Sequence, residues 1–288
     1  RFSLHYSVIV CFSPNVGNLV DLTKKLSTSS SKVILVDNTP KSYLKDNIEG
    51  LEEVEMIILN NNLGIGRAQN IGINYANECR AHTISFFDQD SKIAEDSIEL
   101  IIKSFIDKNN YIISIPPVDS QTKKPLPLIR LNRFGLPYKL KTNYEEAESL
   151  VDIVISSGTS VRSEILKIVG PFDESLFIDG VDTDWCLRSR SKGFAISMMK
   201  NITMEHSIGD SRKAIGPLTL QSHSPERCYY QIRNSFLLMH KTYVPFLFSV
   251  YEIISNITNR MLLLFYVEDK MRYLKCILYG VIDGIKKK

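Results

Sequence analysis

In the run "ISFFDQDSKI", Ile84 to Ile93, an apolar stretch ends abruptly on Asp88-Gln89-Asp90. Two carboxylates one residue apart at the lip of a buried strand repel each other and lose solvation unless a cation lies between them. Oxygen ligands of this kind suit Mg²⁺ or Mn²⁺, which commonly share one or two protein carboxylates with substrate phosphates. A solvated acidic turn is the plain alternative. Against it, the preceding Ile84, Ser85, Phe86 and Phe87 place the pair where a sheet presents ligands.

Three more acids, Asp179, Asp182 and Asp184, stand before Trp185, Leu187 and Arg188. A helix dipole accounts for part of this, since carboxylates are favoured in a first turn. An aspartate at a cleft mouth can also take a proton from an alcohol. Trp185, the single tryptophan, suits either the core or a flat surface on which a sugar stacks. The run "NNNLGIGRAQNIGINYA", 60–76, offers Gly64, Gly66 and Gly72 for a tight turn and close backbone approach, with Arg67 set to meet phosphate at a helix start. It is neither a dinucleotide fingerprint nor a Walker loop. His206 follows a strand-like run and is either a structural histidine or a further metal or phosphate contact.

The elements that must position these residues are read from periodicity. Strands are expected at 6–12, 32–38, 54–60 and 82–88, with helices after Asn15 and over 66–79. This alternation is that of βα units around a mostly parallel sheet. Ser13, Asp37, Asn60 to Asn62 and Asp88 all fall at strand C-terminal ends, where open α/β sheets bind ligands. From 116 to 150, five prolines suggest a long surface segment. A strand over 151–161 then leads through a small-residue turn into a helix at 162–170, stopped by Gly170-Pro171. From Pro225 onward the chain reads as helical, aromatic and basic.

Composition sets the outer bounds. With 288 residues, 44% of them hydrophobic, the chain can bury a large core. A net charge of +3, without a concentrated basic stripe, argues against nucleic acid as a partner. Five scattered cysteines with no CxxC pair support neither a zinc site nor a disulfide framework and fit a reducing cytoplasm. No leader peptide is expected, because Arg1 stands directly before a strand-like run. The longest apolar run, 243–254, is broken by Pro245 and Glu252.

Taken in order, "VIVCFSPN", "VILVDNTP", "NNLGIGRAQNIGINYA", "FFDQDS" and "SGTSVRSEILKIVGPFDESLFIDGVDTDWCLRSRSKGF" resemble the family-2 glycosyltransferases, whose α/β fold is the GT-A nucleotide-diphospho-sugar transferase fold. The D-Q-D-S form, the later "H-S-I-G-D" and "RCYYQIRNSFLLMHKTYVP" are most similar to bacterial rhamnosyltransferases of O-antigen and capsule assembly. The resemblance covers about 1–240 as a catalytic domain and leaves 241–288 as a helical extension. It implies an inverting transfer of L-rhamnose from dTDP-β-L-rhamnose to a polyprenyl-diphosphate-linked oligosaccharide.

The resemblance further implies nucleotide-sugar contacts from Ser13, Asp37, Asn62, Gly64, Arg67, Asn70, Asp88 and Gln89, with Asp37 on the base. Asp88 and Asp90 would hold Mg²⁺ or Mn²⁺, joined by His206, and Arg233 would touch phosphate. Acceptor contacts would come from Asp179, Trp185 and Arg188. The catalytic base would be Asp182 or Asp184, because Val181 stands where many relatives carry the Glu of a Glu-Asp pair. Three rivals are the same fold with a UDP-hexose or UDP-N-acetylhexosamine donor, a sugar-phosphate nucleotidyltransferase, whose glycine-rich N-terminal loop is missing from "CFSPNVGN", and a catalytically dead binding module. The aromatic, basic C-terminal helices suggest peripheral association with the cytoplasmic face of the inner membrane, or packing on the catalytic domain or across a homodimer.

Overall fold

A computed structural model describes residues 4–44, 54–107, 110–140, 149–200, 202–206, 211–215 and 218–287, with the backbone alone over 211–215 and 218–222. Residues 207–210 of the "H-S-I-G-D" motif lie outside these. In chain order the first half runs β1 (His5–Cys11), α1 (Val16–Leu26), β2 (Ser31–Asp37), β3 (Val54–Ile58), α2 (Ile65–Glu78), β4 (Thr83–Asp88), α3 (Ser97–Asp107), β5 (Ile112–Ser114), β6 (Pro117–Asp119), β7 (Ile129–Leu131) and β8 (Pro137–Lys139). The second half runs β9 (Leu150–Val151), β10 (Thr159–Arg162), α4 (Ser163–Val169), α5 (Val181–Ser191), β11 (Ile196–Met198), β12 (Met204–His206), β13 (Ser211–Ile215), β14 (Leu218–Ser222), α6 (Pro225–Met239), α7 (Phe246–Leu263) and α8 (Lys270–Ile285).

One mixed sheet carries the fold, in the order β3-β2-β1-β4-β10-β5-β11-β9. The first four strands are parallel, and β10 is inserted antiparallel between β4 and β5. The strands read as continuous apolar runs because both faces are covered. Val8, Ile34, Val36 and Phe86 pack under α2 and α5, while Ile9, Leu35 and Phe87 pack under α1 and α3. Register brings the polar strand ends level, with Cys11 opposite Asp37 and Val10 opposite Asp88.

Helix α2 approaches the sheet so closely that a Cβ on Gly72 would lie 2.4 Å from Val8 Cγ1. Gly64, the α2 N-cap, has φ +84°, and a Cβ there would meet the Phe177 carbonyl at 2.7 Å. Both positions therefore need glycine.

The strand expected over 151–161 divides. Ser156-Ser157-Gly158 forms a turn between β9 and β10, with Gly158 at φ +78° and its N–H bonded to the Phe86 carbonyl. The 116–140 stretch is likewise more than a surface segment. It folds into β6, β7 and β8 and buries Leu128 and Leu131, because apolar residues alternate with its prolines and pin it to the sheet edge.

Helix α6 starts at the N-cap Ser224, whose hydroxyl accepts from Arg227 N, with Pro225 following. Gly280 and Gly284 of α8 press against α6 near Tyr229 and Arg233. A small cluster of Leu131, Leu187, Leu238, Val244 and Phe248 joins the C-terminal helices to the rest of the chain.

Candidate active site

The strand-end acids open onto a cleft of about 600 Å³ that Asp88, Asp179, Asp182, His206 and Arg227 line together. Strand β4 delivers Asp88, and the turn after it delivers Asp90. His206 arrives from far along the chain because β12 pairs with β6 and bridges Lys92 through Glu205. Its Nδ1 lies 3.7 Å from Asp88 Oδ2. Ligand atoms of Asp88, Asp90 and His206 fall within 4.8 Å of one another.

This donor set fits a hard divalent cation. It offers two carboxylates and an imidazole whose buried Nδ1 has no hydrogen-bond partner among the described residues. Desolvation, and then the Asp90 charge, push the Asp88 carboxyl up to about 6, while Arg227 pulls it back. Burial lowers the His206 pKa against the pull of Asp90 and Asp182, which favours the neutral, ligating imidazole.

Asp182 sits in the first turn of α5, after Gly180, and faces the cleft. Its pKa is raised to about 6 by burial and then by the Asp88 charge, and is held back by hydrogen bonds from the Ser156 backbone and side chain. Gln69 Nε2 in turn donates to Ser156 Oγ at 2.8 Å, which leaves the serine proton for Asp182. The next residue, Ser157, accepts from Asp88 N at 3.0 Å and bonds Ser91 Oγ at 2.8 Å. The Ser156-Ser157-Gly158 turn thus joins both acidic motifs.

Several expected site residues are buried and engaged by the protein itself. Asp184 is fully buried, with Oδ2 accepting from Arg188 at 2.9 Å and Oδ1 from the Tyr243 hydroxyl. Arg188 also reaches the Val169 carbonyl, so both residues brace the core. Trp185 is 3% exposed, packs on Phe172 and donates Nε1–H to the Gly170 carbonyl, which leaves no face for a sugar.

Asn70 is buried and clamps Phe172 through its backbone N–H and carbonyl. Arg233 stacks on Tyr230 and bonds the Ser175 carbonyl, held inside by α6 rather than aimed at phosphate. Asp37 is fully buried and organises the turn after β2 through Thr39 N and the Ser42 hydroxyl, so its carboxylate offers no direct surface to a base.

The remaining expected residues lie at or beyond the strand ends, outside the lining of the cleft. Gln89 exchanges two hydrogen bonds with the Phe12 backbone, Ser13 N donates to Thr39 Oγ1, and Asn62 Oδ1 accepts from Asn38 Nδ2 and Gly64 N. Arg67 is exposed beside Glu174, at 3.7 Å.

Asp179, expected at the acceptor, is gripped bidentately by Arg227 at 2.9 and 3.0 Å. Asn234 holds the same loop through the carbonyls of Leu176, Ile178 and Asp179. Sequence reasoning missed Ser156, Gln69 and Arg227. The serine pair before Gly158 was the available signal for the first, whereas nothing local marked the other two.

The parallel strand ends gather acids around one cleft, with a donor set that fits a divalent cation and an aspartate on a helix start, and the fold is that of the GT-A glycosyltransferases. The chain belongs to glycosyl transferase family 2, whose family model matches residues 7–168. It is 37% identical over 282 residues to the dTDP-rhamnosyl transferase RfbF of Shigella flexneri, across 98% of this chain and 95% of that protein.

Solved structures of like fold include S. aureus TarS, with a TM-score of 0.59 and 13% identity over 98% of this chain. This chain spans about half of TarS, 49% of its length. TarS 1–349 in complex with UDP-GlcNAc gives a TM-score of 0.58 at 13% identity, over 98% of this chain and 82% of that one. GalNAc-T7 with UDP, GalNAc and Mn²⁺ gives 0.62 at 13% identity, over all of this chain and 56% of that one.

Proposed function

We propose that this enzyme transfers L-rhamnose from dTDP-β-L-rhamnose, with inversion, to a hydroxyl of a polyprenyl-diphosphate-linked saccharide during O-antigen or capsule synthesis. The observation that carries the donor is the near full-length similarity to a dTDP-rhamnosyl transferase. Residues 1–240 would form the catalytic unit and 241–288 an extension, working at the cytoplasmic face of the inner membrane.

Asp182 acts as the base. Ser156 fixes the carboxylate while it takes the acceptor proton, and the freed oxygen attacks the sugar C1 from the side opposite the diphosphate. The C1–O bond to the leaving group breaks as the new bond forms, so one displacement inverts the anomeric centre. Asp88, Asp90 and His206 would hold Mg²⁺ or Mn²⁺. When bound, the ion supplies Lewis-acid neutralisation of charge on the diphosphate.

Arg227 is the one arginine or lysine among the described residues lining the cleft, and it faces the same charge. Leu126, Ile129, Ile153 and Ile155 make an apolar wall suited to the methyl group of a 6-deoxyhexose. A hydroxymethyl left unpaired there would cost about 1–3 kcal/mol. A UDP-hexose or UDP-N-acetylhexosamine donor is the second reading, favoured by the UDP-GlcNAc bound in one structure of like fold.

Calorimetric titration with dTDP-rhamnose, UDP-glucose, UDP-N-acetylglucosamine and GDP-mannose, with Mg²⁺ and with EDTA, tests this reading. Selective, metal-enhanced binding of the dTDP sugar is expected. A UDP or GDP preference discards rhamnose.

A further inference from the structure

The last two helices leave apolar residues exposed at helical spacing. On α7 and just past its end, Leu247, Tyr251, Ile254, Met261 and Phe265 form one stripe, with Phe265 74% and Ile254 60% exposed. The opposite side, with Phe248, Ile253 and Leu263, is buried. On α8, Met271, Leu278, Ile282 and Ile285 form a second exposed stripe, while Ile277, Gly280 and Gly284 are buried, the two glycines against α6. The stripes meet at a groove of about 500 Å³ whose walls include Ile257, Met261, Phe265, Met271 and Leu274. A contiguous apolar face of this kind differs from the scattered exposed side chains of an ordinary surface.

Charge decides between occupants. Helical spacing sets Lys275 and Lys286 on one flank of the α8 stripe and Lys270 on the other, with Lys287 just beyond the helix. Tyr251 and Tyr279, both exposed, add amphipathic rings of the kind enriched at membrane interfaces. The nearby acids are largely engaged. Asp269 caps α8, Asp283 accepts from Tyr229, Glu252 of α7 accepts from Asn256, and Glu226 pairs with Arg272, which leaves Glu268 at the α7–α8 turn. A two-fold contact between copies would set these lysine rims against each other, whereas anionic headgroups neutralise them. No helix among the described residues is long and apolar enough to cross a membrane, so the face would lie in the interface plane.

We propose that the α7–α8 face is a docking surface for an anionic lipid bilayer, with Ile254, Met261, Phe265, Met271 and Leu278 entering the headgroup–acyl boundary and the lysines pairing with phosphates. This deepens the reading of a lipid-linked acceptor, although its evidence is independent of donor chemistry.

The test is cosedimentation of the full chain with phosphatidylglycerol/phosphatidylethanolamine vesicles and with phosphatidylcholine vesicles. Binding to the anionic vesicles that weakens with salt is expected. Ile254→Ser combined with Phe265→Ser should lower it by about tenfold or more, and Lys275→Glu with Lys286→Glu should abolish its salt dependence. Calorimetric donor binding should stay unchanged in both variants, because neither touches the cleft. If the wild-type chain ignores anionic vesicles, the proposal falls. It also falls if sedimentation velocity shows a dimer that the serine substitutions dissociate, since the face is then covered by a second copy. Vesicle binding that holds while every nucleotide sugar fails to bind would leave this surface standing and remove the transferase chemistry.

Discussion

Asp182 and Asp184, two residues apart on α5, face opposite surroundings: Asp182 opens onto the cleft beside Ser156, and Asp184 is sealed against Arg188 and Tyr243. Their substitutions should therefore fail in different ways. Asp182→Asn should lower kcat by about 10²–10⁴-fold with donor affinity and melting temperature retained. Asp184→Ala should instead destabilise the fold by about 3 kcal/mol, because it strands the partly buried Arg188. Steady-state kinetics beside thermal melts separate the two.

The rate should fall tenfold per pH unit below about 6. The proposed base, Asp182, would accept a proton only as the carboxylate, and its pKa is raised to about 6, so lowering the pH through that value would protonate it and stop proton acceptance. Asp88 titrates in the same range, and saturating metal would keep it ionised and leave Asp182 as the group observed. In Ser156→Ala the hydroxyl that favours the charged form is lost, so the acid limb should move to higher pH. A profile that stays in place would show that the serine does not tune the base.

His206→Ala and Asp90→Asn should each weaken Mn²⁺ binding by about tenfold or more, measured by calorimetry in the presence of dTDP. Adding EDTA to the wild-type protein should remove most of its affinity for dTDP. Affinity that survives both EDTA and these substitutions would show that Asp88, Asp90 and His206 do not act as a metal site.

Arg227→Ala should raise the dissociation constant for the donor and release Asp179, with a larger effect at low salt than at high salt. Arg227→Lys keeps the charge but loses the bidentate grip, so it should recover electrostatic attraction without full activity. Equal donor affinity in all three proteins would exclude Arg227 from the diphosphate site.

Gly64→Ala tests the approach of α2 to the loop that precedes α5. A methyl at φ +84°, 2.7 Å from the Phe177 carbonyl, forces either the α2 N-terminus or that loop to shift. A stability loss of about 1–3 kcal/mol is expected, with reduced activity even below the melting transition because Asp182 follows the same loop.

By itself the sequence determined the strands and helices of the first 90 residues, the level line of polar strand ends and the Asp88-Gln89-Asp90 motif. These depend on local apolar periodicity and on backbone rules that neighbouring residues obey. Tertiary structure decided what faces what. Acids two positions apart on a helix point roughly 200° apart, and only the packing of Tyr243 and Arg188 selects which one is buried. The same holds for Trp185, drawn into the core by Phe172, and for Asp37, turned inward by Thr39 and Ser42. His206 and Arg227 reach the cleft through strand pairing and the docking of α6. Such contacts between distant segments arise from burial and charge across the whole fold, and no local spacing encodes them.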